Sequence, residues 1–532
     1  MKLKIAILFA ILPILLKSQQ TNLPLNANYL NAIDEQLQRQ GVGVHTAIKP
    51  YIRSEVDTEI ALDSILDHPI EEGFHANLSK GDILEFRKKN CFIGINPILD
   101  MEFGYDISQN EILYRAGYGA ELKADLGKKL SLGFNFQGVQ DKPQDYVADL
   151  IETTQVVPGY RNADIKDNGF SSAMYSGYIS YTPSKHFNMQ VGNDKNFWGD
   201  GYRSLFLSDQ SSNYPYVRLS ANFWKIKYVY LLNFLNYQPL DSLYNFDFTQ
   251  EKEKKYAAFH YLSVDFTDWF QWGFFEGVTW QHADSNGVRG MEWNYLNPVL
   301  FIRPVEFALG SPDNITLGMN FKFKPHHQHT IYSQILLDDL DISKARGGKG
   351  FYRTKIAAQI GYKTYNLAGV RGLNLQTEFN LVRPYVYAHK IAEQNYTHFN
   401  QSLAHPLNAN FYEILTFIRY NRKNWIGSFS FQYAKQGLDE FGKHNGSNIF
   451  VSDFVINFGD LDNAYDNKFL QGQKTNILSF SARGGYLVNK SINLSIEAFC
   501  NYRTKKSSVI DEKNIIFGMG LKTGLFNRYT DF

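Results

Sequence analysis

The stretch His186–Trp224 reads HFNMQVGNDKNFWGDGYRSLFLSDQSSNYPYVRLSANFW. Phe187, Met189 and Val191 alternate with Asn188 and Gln190, the period-two pattern of a strand with one apolar and one polar face. A loop dense in Asp, Trp, Tyr, Arg and Gly then interrupts the pattern, and alternation resumes from Tyr214. Strand, polar-aromatic loop, strand is a small unit. From Cys91 onward the chain repeats it to the end.

About eighteen alternating runs can be marked on this basis, from 91–105, 112–126 and 129–140 to 475–488, 491–501 and 514–526. Short turns (Gly127-Lys128, Pro183-Ser184-Lys185, Asp268-Trp269-Phe270, Arg422-Lys423-Asn424, Asn489-Lys490) alternate with the longer links 141–170, 194–213, 238–255, 284–313, 386–410 and 435–474. An outer-membrane barrel sorts its connections this way, with short periplasmic turns and long external loops, and an even strand number puts both termini on the short-turn side. A soluble sandwich has no reason to do so.

The alternation within strands agrees. In NILSFSARGGYLV, Leu478, Phe480, Ala482, Tyr486 and Val488 share one face, opposite Ser479, Ser481 and Arg483. In IIFGMGLKTGLF, Phe517, Met519, Leu521 and Leu525 oppose Gly518, Gly520, Lys522 and Gly524. A cation facing lipid at mid-depth costs roughly 2–4 kcal/mol, so Arg483 and Lys522 are expected to face the lumen. The ending Tyr529–Phe532 resembles a barrel-assembly aromatic signal. Phe532 is nevertheless out of register with the apolar face, which implies that the last residues turn away.

The N-terminal part differs. Lys2 and Lys4 precede the apolar run Ile5–Leu16, with Ser18 before Gln19, the pattern of a signal peptide over 1–18. That run is too short to span a bilayer as a helix. Residues 19–90 read as a small, partly helical periplasmic segment. Leu30, Ile33 and Leu37 mark an amphipathic helix stopped by Gly41 and Gly43, EVDTEIALDSILDH offers a second helical turn or two, and the charged LEFRKKN closes the segment. The barrel occupies 91–532. The expected fold is therefore an all-β outer-membrane barrel with lipid as one partner.

The chain has 41 Phe and 34 Tyr but two Cys, and a formal net charge of +1. Near-neutrality argues against nucleic acid as a partner. Cys500 shares the parity of Ile492, Leu494, Ile496 and Ala498, so it reads as a small apolar group on the outer face rather than half of a disulfide. No Gly-x-Ser-x-Gly elbow, His-Glu-x-x-His helix or phosphate-binding glycine loop is present. His326, His327 and His329 sit at a turn and read as solvated rather than metal-binding. Asp338 and Asp339 are consecutive on a strand and point to opposite faces. A non-enzymatic protein without metal or cofactor is expected.

Carbohydrate binding has the better chemical case, because sugar C–H faces stack on Trp and Tyr while carboxylates, amides and Arg hold hydroxyls. One candidate cluster is Asp194, Trp198, Asp200, Tyr202, Arg203 and Asp209. A second is Trp293, Tyr295, Arg303, Glu306 and Asp313. The competing reading is a loop folded into the lumen with its charges paired.

Several long stretches resemble the capsule-assembly Wzi family, and within it the Bacteroidetes gliding-motility branch (RemB). They are FWGDGYRSLFLSD (Phe197–Asp209), NYPYVRL, NFWKIKY, NPVLFIRPVEFALGSPDN (Asn297–Asn314) and YTHFNQSLAHPLNANFYE (Tyr396–Glu413), with HTAIKPY (His45–Tyr51) and GLFNRYTDF (Gly524–Phe532). The resemblance implies an eighteen-stranded outer-membrane barrel with a small periplasmic helical part. It also implies a surface protein that binds or anchors polysaccharide and supports gliding motility. The alternatives are a structural subunit docking a secretion or motility complex without binding sugar, and a porin-like channel, which the charge-rich loops disfavour.

Overall fold

A computed structural model describes residues 20–66, 72–166, 169–239, 253–284, 287–298, 313–338, 347–440, 443–454 and 464–532. The expected signal peptide lies outside them. Eighteen antiparallel strands close into a barrel. They are β1 (Cys91–Asp106), β2 (Glu111–Leu126), β3 (Leu130–Lys142), β4 (Gly169–Ser184), β5 (Phe187–Asp194) and β6 (Tyr214–Phe223). Next come β7 (Ile226–Tyr237), β8 (Glu253–Thr267), β9 (Phe270–Gln281), β10 (Asn314–His326), β11 (His329–Asp338) and β12 (Lys355–Thr364). The last six are β13 (Leu373–Val382), β14 (Phe411–Arg422), β15 (Trp425–Leu438), β16 (Gln473–Asn489), β17 (Leu494–Lys506) and β18 (Asp511–Thr523). Each pairs with the next, and β18 closes on β1 from Ile516↔Asp106 to Lys522↔Asp100.

Side chains of one parity, such as Ile179, Tyr181, Phe187, Met189, Val191, Ile496, Phe517 and Met519, stand exposed on the outer wall. Their partners of the other parity, Ser180, Asn188, Gln190 and Arg218 among them, are buried within. Only a closed ladder of this kind leaves no backbone group unpaired in lipid. A closed barrel wearing an apolar belt is an outer-membrane protein. No helix among the described residues is long and apolar enough to cross a membrane. Cys91 and Cys500 are both unbridged.

Three points differ from the sequence reading. The links on one end are not uniformly long, since β1–β2 and β17–β18 are joined there by tight connections over 107–110 and 507–510. LEFRKKN does not merely close a helical segment. Leu84–Lys88 is a strand, paired with Gly73–Ala76 on one side and with Cys91–Ile95 of β1 on the other. Glu85 and Arg87 are buried and joined at 2.7 Å, while Leu84 and Phe86 stay exposed, the same two-faced pattern as the wall. Finally, β18 stops at Thr523 rather than 526, and Leu525 is buried rather than lipid-facing. The two last points have one cause. Because β18 leaves the wall early, the first residues of β1 need another partner, and the hairpin supplies it.

Helix α1 (Ala27–Leu37) starts where Asn26 accepts the N–H groups of Asn28 and Tyr29, and it buries Tyr29, Ile33 and Leu37. Two short helices, α2 (Arg53–Asp57) and α3 (Leu62–Leu66), follow and complete a small apolar cluster with it. This segment fills the short-turn end of the barrel. Asp34 bonds Lys363 Nζ at 2.8 Å and Tyr365 Oη at 2.7 Å, Glu35 accepts from Asn366, and Gln40 donates to the carbonyl of Lys324.

Candidate functional site

The loop after β5 carries the first sequence-predicted cluster, and it dives into the lumen. Trp198 is 0 % exposed, its ring edge-on to Phe259, Tyr261 and Phe275 of β8 and β9 at 5.6–6.3 Å. Its backbone N–H donates to Leu207 O, and its backbone pairs with Ile48 of the N-terminal segment. Gly318 of β10 faces Phe206, and a methyl group there would overlap the ring.

The long link between β13 and β14 descends from the same end and meets this loop. Tyr387 Oη donates to Leu205 O at 2.9 Å, Tyr396 Oη to Phe206 O at 2.6 Å, and Ser208 N to Leu403 O at 2.7 Å. Residues 524–532 come from below. Asn527 and Tyr529 both bond the Asp209 carboxylate, at 3.0 and 2.7 Å. Four stretches of chain thus interlock into one plug.

Its charges are neutralised internally. Arg203 is fully buried between Glu413 of β14 (3.0 Å) and Asp531 (3.1 Å), and its guanidinium is held well charged against the pull of burial by those two carboxylates. His405 Nε2 lies 2.8 Å from Glu413, yet burial keeps the imidazole below its usual range. Asp200 accepts from Thr46 at 2.6 Å and faces Lys322 at 3.6 Å. Burial would raise its pKa, but Lys322 and then Lys49 bring it down to about 2. Asp194, ending β5, accepts the N–H of Lys195. Tyr202 stacks near Phe417 (4.5 Å) and Tyr529 (5.4 Å), while its N–H donates to Glu378. The first cluster is therefore brought together, but as the centre of a plug. Trp198 offers no face on which a sugar could stack.

The second cluster is placed differently. After β9 the chain folds back over the outer wall near the long-link end. There Tyr295 is buried against Trp280 (4.9 Å), and its carbonyl accepts from Tyr230 Oη. Arg289 forms a bidentate pair with Asp313 at 2.6 and 2.7 Å, and Tyr295 Oη adds 2.7 Å to the same carboxylate. On this frame a single turn, Trp293–Leu296, presents Trp293 at 75 % exposure. Arg303 and Glu306 lie outside the described residues. An exposed tryptophan on a clamped turn is suited to stacking on a flat apolar partner.

The residues that hold the first cluster escaped the sequence reading. Lys322, Glu378 and Glu413 lie in strands, where any charge must face the lumen, so parity alone could have flagged them as partners for Asp200 and Arg203. Asp531 carried no such signal.

Comparison with known proteins adds a fold. No family model and no curated protein matches the chain. Among solved structures, it is similar to Wzi, an outer-membrane protein involved in group 1 capsule assembly in Escherichia coli and described as a carbohydrate-binding β-barrel. The TM-score is 0.53 at 11% identity, covering 95% of this chain and 100% of that one. OprD of Pseudomonas aeruginosa matches with a TM-score of 0.41 at 9% identity, over 81% of this chain and 94% of that one. OccAB2 of Acinetobacter baumannii matches at 0.43 and 10%, over 81% and 97%.

Proposed function

We propose that this outer-membrane barrel is a non-enzymatic surface protein that binds or anchors polysaccharide outside the cell. The observation that carries the reading is the interlocked plug: the chain's own loops and ends occupy most of the lumen, which favours a working surface at the long-link end over a pore. Wzi, with the same closed-barrel fold, is a carbohydrate-binding barrel, which supports the choice of ligand class. The exposed Trp293, set on the Arg289–Asp313 clamp, supplies the stacking platform and flanking polar groups that sugar rings require. The connection to gliding motility rests on the long motifs from Phe197 to Glu413 and belongs to the same proposal.

The test is retention of surface polysaccharide by cells carrying Trp293→Ala, and binding of the purified variant to that polysaccharide. Loss of one stacking aromatic is expected to weaken binding about tenfold or more, with the barrel still heat-modifiable on gels. Unchanged retention and binding would remove Trp293 from the site. A wild-type protein that binds no surface polysaccharide, and instead co-purifies stoichiometrically with a motility or secretion protein, would favour the docking subunit.

A further inference from the structure

The plug does not fill the barrel evenly. Its apolar core, from Trp198 and Phe206 to Tyr387 and Tyr396, lies against β6–β14. On the other side, facing β1–β4 and β14–β18, remains a cavity of about 240 Å³. Six cations line it: Arg115, Lys195, Arg419, Arg483, Lys522 and Arg528.

Four of the six are matched. Arg115 pairs with Asp100 at 2.5 Å and with Asp141. Arg483 lies 2.9 and 3.0 Å from Glu102 and Glu497, Lys522 lies 3.5 and 3.3 Å from the same two, and Arg528 pairs with Glu102. Lys195 and Arg419 stand outside this set. Lys195, 3 % exposed, gives its Nζ protons to the carbonyls of Gly159 (2.8 Å) and Asp209 (3.1 Å). Arg419, 9 % exposed, donates once to Gln376 Oε1 at 2.7 Å and otherwise lies over the Phe417 ring at 4.3 Å. Among the described residues no salt bridge joins either cation to a carboxylate.

Burying a cation is costly, and at Lys195 the Asp209 and Asp194 carboxylates offset that cost only in part, neither of them forming a salt bridge with it. Burial accordingly depresses the Lys195 ammonium to a pKa of about 8. The α1 N-terminus also reaches this cavity, but Asn26 and Asn527 already saturate its first N–H groups. The cavity-lining cations without a salt bridge are therefore these two side chains. Two narrower clefts adjoin the cavity. One shares Arg115, Pro158, Arg528 and Thr530 with it, and the other shares Asn28, Arg419, Ser428 and Arg483.

We propose that this cavity is a binding site for a small oxyanion, a carboxylate or phosphate group, held by Lys195 and Arg419 with the Arg115–Arg528 side completing the positive wall. The site is separate from the Trp293 surface and does not depend on the glycan reading. Its anion is a free phosphate or the acid group of a sugar acid, and the volume excludes a polymer.

The experiment is calorimetric titration of the detergent-purified full chain, at low chloride, with inorganic phosphate, glucuronate and, as the uncharged control, glucose. At least one anion is expected to bind with a millimolar or tighter Kd and glucose not to bind. Tighter phosphate identifies the free-phosphate source, and tighter glucuronate the sugar acid. Lys195→Gln with Arg419→Gln should weaken binding at least about tenfold, Arg419→Lys should retain most of it, and Trp293→Ala should leave it unchanged. If the double variant fails to assemble, Arg419→Gln alone carries the comparison. Failure of both anions to bind, equal binding of glucose, or wild-type affinity in the glutamine variants would overturn the proposal.

Discussion

At the scale of single residues, burial separates what two similar tryptophans do. Trp198 and Trp293 sit in equally polar, aromatic stretches, but one is sealed in the plug and the other faces outward. Truncating Trp198 to alanine should cost about 3–5 kcal/mol through the cavity it leaves, read as earlier protease cleavage of the 195–213 loop rather than as lost glycan affinity. Glu413 holds both Arg203 and His405, so Glu413→Ala leaves the buried guanidinium to Asp531 and removes the carboxylate partner of His405, and it should destabilise the plug by roughly 3 kcal/mol. The buried histidines set a pH dependence. Burial, its largest cause, holds the pKa of His398 near 3, against 6.5 when hydrated. Burial likewise holds His45 and His405 below their usual range. Between those pH values an opened plug takes up a proton that the closed plug refuses. The closed state keeps its full stability above about 6.5 and loses it as the pH falls toward 3. Asp200 acts in the same direction, its contribution present above 3.8 and lost as pH falls through about 2. Acidification below neutrality should therefore change Trp198 fluorescence while the strand signal in circular dichroism persists. An unchanged Trp198 signal down to pH 4 would show that the plug does not open in this range.

At the scale of elements, parity was the legible signal. Arg483 and Lys522 were expected to face the lumen, and both do, paired with Glu102 and Glu497. Where the sequence reading failed, the element was short and its identity depended on a distant neighbour. Leu84–Lys88 has too few residues to declare a period, and it is a strand because β18 ends at Thr523 and leaves the start of β1 unpaired. Deleting residues 72–89 should expose that run of backbone and lower the temperature at which the barrel band collapses on gels, since each unpaired backbone group in lipid costs several kcal/mol. On the wall itself, Ile179→Arg places a cation on the lipid face and should cost roughly 2–4 kcal/mol in vesicle unfolding titrations.

At the scale of the whole molecule, the barrel is asymmetric inside, apolar against β6–β14 and wet and basic against β1–β4 and β14–β18. Four interlocking segments make the closure cooperative, because each donates backbone or side-chain hydrogen bonds to another. In planar bilayers the intact protein should show no steady ohmic conductance. Replacement of the 195–213 loop by a short turn joining β5 to β6 should create one. Steady conductance by the intact chain would mean that the plug is not seated in the membrane.

Period-two alternation is a local property, and it was enough to indicate the barrel, a strand number of about eighteen, and the lumen-facing direction of Arg483 and Lys522. A lipid-facing wall tolerates one parity only, so the sequence had to declare it. The fate of the loops was not local. Asp200, Arg203 and Asp209 have the same composition whether they meet a ligand or Lys322, Glu413 and Tyr529. That choice depends on groups brought together from more than 100 residues away, so only the tertiary structure decided which residues are plug, which are surface, and which cations line the cavity without a salt bridge.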